Sequence, residues 1–132
     1  MTIMEAELIM WNGINRRRFP RANYKCLISI KKRLTAKTIS THTENIGAGG
    51  ICVLLKEDLG LFQGVDVELF LSETEPQIKC GGTLVWVVKK TDPKQKGSYY
   101  YDTGIEFIDI RPEDRDKISD LIDEILKARR QK

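Results

Sequence analysis

Apolar residues recur at alternate positions through much of this chain and change to a helical period only near its end. From Asn23 to Ile30, Tyr24, Cys26, Ile28 and Ile30 fall on one face and Lys25, Leu27 and Ser29 on the other, which predicts a strand. Residues 32–43 are rich in Thr and Lys, with Leu34, Ala36 and Ile39 among them, and predict a second, solvent-facing strand. A glycine-rich turn is expected over Asn45–Gly50, leading into a buried strand at 51–55. Gly60 and Gly64 mark loops before the apolar and acidic alternation of 65–71. Thr74-Glu75-Pro76 then turns the chain, and Gly81-Gly82 leads into Thr83–Val88. The polar stretch 89–98, with Pro93, Gly97 and four lysines, is expected as a solvated hairpin loop. Tyr99–Ile110 is a further strand-like run, with a break expected at Asp102-Thr103-Gly104. Short strands separated by turn signals suggest an antiparallel sandwich or barrel.

The helical period begins after Pro112, a residue suited to the first position of a helix, with Glu113, Asp114 and Asp116 near the positive end of its dipole. Ile118, Leu121, Ile122, Ile125 and Leu126 make one apolar stripe, expected to cover the mouth or side of the sheet. Lys127, Arg129, Arg130 and Lys132 follow, at the end where cations are favoured. Residues 1–15 fit neither period. Residues 1–13 are read as an N-terminal arm that packs on the domain or on a partner, and 14–132 as one domain.

Composition narrows the class. A chain of 132 residues, 41% hydrophobic and 31% charged, has the make-up of one ordinary globular domain. Its 22 basic and 19 acidic residues leave a charge of +3, too little to coat nucleic acid non-specifically, so no DNA or RNA partner is expected. No apolar run approaches the ~20 residues of a membrane span, and no signal-like N-terminus is visible, so a cytoplasmic protein is expected. Cys26, Cys52 and Cys80 have no Cys-x-x-Cys spacing and are expected as buried thiols rather than metal ligands. His42 is the single histidine, and no visible partner gives it a catalytic role. Scattered carboxylates and the lack of a nucleophile-and-base pair argue against an enzyme.

Two stretches carry the chemistry. Arg16-Arg17-Arg18-Phe19-Pro20-Arg21 gathers four arginines whose planar forks match phosphates and the O6/N7 edge of guanine. Pro20 disfavours a helix there, and in an extended chain Arg17 and Arg21 project the same way. A plain basic strip fits this stretch equally well. The second stretch is Asn45-Ile46-Gly47-Ala48-Gly49-Gly50. A Walker loop or a dinucleotide fingerprint needs a helix after its glycines, whereas an apolar, strand-like run follows here. What remains is a tight turn that could cup an anion, with Asn45 able to pair with a base edge, or a glycine turn with no ligand.

Together, the Arg-x-x-x-Arg of Arg17 and Arg21 and the later Asn-x-Gly-x-x-Gly of Asn45, Gly47 and Gly50 resemble the PilZ domain family. Gly82-Thr83-Leu84-Val85-Trp86, Gly104-Ile105-Glu106-Phe107 and the helix after Pro112 resemble further motifs of that family, so the likeness spans about residues 14–126. The resemblance implies a mainly-β fold, a six-stranded antiparallel β-barrel with a C-terminal α-helix. It also implies a bacterial, non-enzymatic receptor for cyclic di-GMP that acts through a downstream protein partner. By position, Arg17 and Arg21 would clamp the ligand with Arg16 auxiliary, Asn45 would bond a guanine, and Gly50 would leave room for it. Trp86 would lie beside the ligand or be ordinary core. Gly47 occupies the family's serine position, which removes a hydroxyl contact worth about 0.5–1.5 kcal/mol, or about tenfold in affinity. On this reading Gly47→Ser tightens binding. The alternatives are a degenerate PilZ-like interaction module that does not bind cyclic di-GMP, and a barrel that binds single-stranded nucleic acid.

Overall fold

The structure, a computed structural model, describes residues 20–35 and 37–130. The N-terminal arm expected over 1–13, and Arg16 and Arg17, lie outside the described residues. Among the described residues seven strands precede one helix: β1 Arg21–Asn23, β2 Leu27–Lys32, β3 Thr38–Gly47, β4 Gly50–Leu55, β5 Gly64–Phe70, β6 Ile78–Thr91 and β7 Tyr99–Phe107, then α1 Pro112–Arg130. All pairings are antiparallel. The order β3-β2-β5-β6-β7-β4 closes when β4 pairs back onto β3, which makes the expected six-stranded barrel, and β1 adds a short seventh strand to β3.

The core lies inside this barrel. Ile28, Ile30, Ile46, Ile51, Val53, Val65, Leu69, Ile78, Leu84 and Ile105 are all buried, and each occupies an inward position of its strand. Ile118 and Ile122 of α1 join the same cluster, with Leu121, Ile125 and Leu126 partly buried against it. The helix therefore covers the barrel along the β1 and β3 side, as its apolar stripe requires.

Several boundaries differ from the expectation. The strand expected over 23–30 is two pieces, and β1 and β2 follow one edge of β3 with an interruption at 24–26. Arg21 pairs with Gly47 and Leu27 with His42, so six steps along one chain match five along the other. The buried Thr43 hydroxyl spans the irregularity, accepting from the Cys26 amide at 3.1 Å and donating to the Tyr24 carbonyl at 2.6 Å. Residues 33–35 form a turn instead of the start of a strand, and Leu34 is 92% exposed there. The glycine-rich turn is shorter than expected. Asn45 to Gly47 belong to β3 and Gly50 opens β4, so only Ala48 and Gly49 turn. At the other hairpin the strand β6 continues to Thr91, and the Asp92 amide donates to the Ser98 carbonyl at 2.9 Å. No break falls at Asp102-Thr103-Gly104; β7 runs through it and stops at Phe107.

Candidate site on the outer face of the barrel

Because Ile46, Ile51, Val53 and Ile105 point inward, the residues alternating with them point out. These are Asn45 and Gly47 on β3, Gly50 and Cys52 on β4, and Asp102, Gly104 and Glu106 on β7. Strand register then lines up two rows across the outer face. One reads Arg21, Gly47, Gly50, Glu106 and the other Asn23, Asn45, Cys52, Gly104, Trp86. A register shift in β6 between Leu84 and Trp86 turns Trp86 onto this outer face after the buried Leu84. Trp86 is half-buried on the outside and is not part of the core.

Small residues make the floor. A Cβ on Gly47 would stand 3.1 Å from both Arg21 Cγ and the Pro20 carbonyl oxygen, so β1 and its arginine lie close over β3. A Cβ on Gly104 would overlap the Trp86 indole, which lies flat against that glycine. Gly50 has a different reason to be glycine, since a Cβ there would overlap the Ile105 carbonyl oxygen on β7. Close strand approach explains it without a ligand. Over this floor Arg21 and Trp86 reach towards each other, the guanidinium carbon 6.0 Å from the indole centroid, at the outer range of a cation–π contact. Part of the Arg21 guanidinium is buried.

Asn45 lies on the same face, in the row that ends at Trp86. Its Oδ1 is buried and accepts no hydrogen bond among the described residues. A buried amide oxygen without a donor costs about 1–3 kcal/mol, so the position favours a ligand that brings an N–H. Beside it opens a pocket of about 600 Å³ lined by Asn23, Lys25, Asn45, Lys90, Tyr100 and Asp102 among others. Lys25 pairs with Glu44 at 3.6 Å on its wall.

Sequence reasoning missed Asp102. Its Oδ1 accepts from Trp86 Nε1 at 3.1 Å and from Cys52 Sγ at 3.1 Å, and its Oδ2 accepts from Lys90 Nζ at 3.2 Å. Burial alone would raise its pKa, but the hydrogen bonds from Cys52, Trp86 and Lys90 outweigh that and hold the carboxyl below its ordinary value. The same contact acts in reverse on Cys52. Burial first, then the bond to Asp102 and its charge, push that thiol up to about 12. It is a neutral donor here and not a nucleophile. The one signal in the sequence was spacing, because Asp102 stands two residues before Gly104 and so shares its face.

Five of the seven expected site residues, Arg21, Asn45, Gly47, Gly50 and Trp86, lie on this one face; Arg16 and Arg17 fall outside the described residues. This face therefore brings together a buried amide oxygen, a partly buried guanidinium and a flat indole.

Similarity to known proteins agrees with the architecture. The family model of the PilZ domain matches residues 15–124. No curated protein sequence matches the chain. Among solved structures, the Bacillus subtilis inhibitor of motility MotI/DgrA superimposes with a TM-score of 0.72 at 22% identity, over 87% of this chain and 53% of that one. The K. pneumonia MrkH–c-di-GMP complex gives 0.70 at 22% identity, over 89% and 56%. The PilZ domain of YcgR from Escherichia coli with c-di-GMP gives 0.68 at 15% identity, over 88% and 95%. This chain thus spans about half the length of the first two and nearly the whole of the third. A family match over most of the sequence and a barrel that superimposes end to end on the YcgR domain lead to one conclusion: the chain belongs to the PilZ domain family.

Proposed function

We propose that this protein is a receptor for cyclic di-GMP that binds the ligand on the outer barrel face and passes the signal to a partner protein. The observation that carries the reading is the convergence of Arg21, Asn45 and Trp86 on one face, with a buried Asn45 oxygen that has no donor among the described residues. Guanine offers N–H donors for that oxygen, and arginine forks suit phosphates and the O6/N7 edge. Trp86 offers an aromatic plane for a base. Family membership, and two solved relatives whose structures contain c-di-GMP, support the same ligand.

In this reading Arg17 and Arg21 clamp the ligand, Arg16 assists, and Gly47 keeps the approach low. The segment carrying Arg16 and Arg17 closes over the bound nucleotide and changes the surface offered to a partner. Calorimetric titration is expected to show saturable binding that Arg17→Ala or Arg21→Ala abolishes. No heat at high micromolar ligand would overturn the proposal and leave a PilZ-type interaction module that works without the nucleotide.

A further inference from the structure

Asp102 belongs to none of the motifs that suggest the ligand, yet three donors from three other positions of the outer face converge on it. Trp86 Nε1 and Cys52 Sγ share Oδ1, and Lys90 Nζ takes Oδ2. Trp86 stands opposite Gly104 and Asp102 stands opposite Val88, so the carboxylate meets the indole as a diagonal cross-strand neighbour. An outward tryptophan on a strand is free to stand away from the sheet. Here two constraints lay it flat: the bare Cα of Gly104 beneath the ring, and an acceptor at its N–H edge. Lys90 holds the second oxygen, which leaves the first directed at the indole and the thiol. Asp102 also lines the pocket that Asn45 lines.

We infer that Asp102 is a positioning residue: it fixes the plane of Trp86, and through that plane it sets how well the outer face receives a base. The second half of this inference rests on the proposed function; the first half does not. The carboxylate acts through the tryptophan, so its effect on binding depends on the indole being there.

The experiment uses the full chain with Trp11→Phe, which leaves Trp86 as its one tryptophan. Without ligand, Asp102→Ala is expected to shift Trp86 emission to the red and raise its acrylamide quenching about twofold, while Asp102→Asn, which keeps an oxygen acceptor, stays near the parent. An unchanged spectrum and unchanged quenching in a folded Asp102→Ala protein would overturn the positioning role. Should the alanine variant not fold, Asp102→Thr suits a strand, lacks the carboxylate and replaces it. With cyclic di-GMP, Asp102→Ala is expected to weaken binding about tenfold in the Trp86 parent and less than about twofold beside Trp86→Phe. Equal losses in both backgrounds would mean that Asp102 does not act through the indole. A parent that binds no cyclic di-GMP would overturn the proposed function alone, because the ligand-free fluorescence still decides the positioning role.

Discussion

At Gly47 two effects of a serine side chain oppose each other. The hydroxyl would restore a polar contact, but its Cβ would press at 3.1 Å on Arg21 Cγ and on the Pro20 carbonyl oxygen. The missing hydroxyl is therefore only half of the departure from the family motif; the other half is the close seat it gives β1. Alanine separates the two effects, since it adds the Cβ alone. Gly47→Ser is expected to bind cyclic di-GMP about threefold to tenfold more tightly than Gly47→Ala, the worth of one net hydrogen bond. The difference between Gly47→Ala and the parent then measures the cost of moving a three-residue edge strand. Identical affinities for serine and alanine would show that no ligand group lies within reach of this position.

Between elements, the decisive contact is β4 on β7, where Gly50 faces the Ile105 carbonyl. Backbone cannot turn aside as a side chain can, so Gly50→Ala must part the two strands. It is expected to lower stability by about 1–3 kcal/mol in urea denaturation, and a loss under about 0.5 kcal/mol would mean that the strands yield freely. This glycine illustrates what the sequence disclosed and what it withheld. Its place in the motif was legible, but its physical reason was not, because that reason is a strand more than fifty residues further on. The helix was legible throughout, since Ile118 to Leu126 repeat at helical spacing on one element. So were the faces of β2 and β5, whose alternation is local, whereas the continuous apolar run of β4 showed burial but not which residues face in. What failed was long-range. The break between β1 and β2 is held by Thr43, seventeen residues beyond Cys26, and the expected break at Gly104 is filled by an indole from β6. Asp102 escaped notice for the same reason, as all three of its donors come from other strand positions.

The candidate site exists only in the closed barrel. Its residues come from β1, β3, β4, β6 and β7, and α1 packs against the first two of these while sharing the core of the rest. The helix end even touches the arginine strand directly, with Arg129 Nη2 donating to the Asn23 carbonyl at 2.7 Å. An unfolded or partly opened chain therefore presents no such face, and any ligand of it binds the folded state alone. Linkage then turns affinity into stability: at one hundred times its Kd, such a ligand contributes about 2.7 kcal/mol. For a domain of this size that corresponds to a rise of about 10 °C in the melting temperature. Cyclic di-GMP is expected to produce that rise in the parent protein and none in Arg21→Ala at the same concentration. A shift that survives Arg21→Ala would put the ligand elsewhere on the molecule. A shift produced instead by single-stranded oligonucleotide, and erased by moderate salt, would favour nucleic acid as the partner, against what a net charge of +3 leads one to expect.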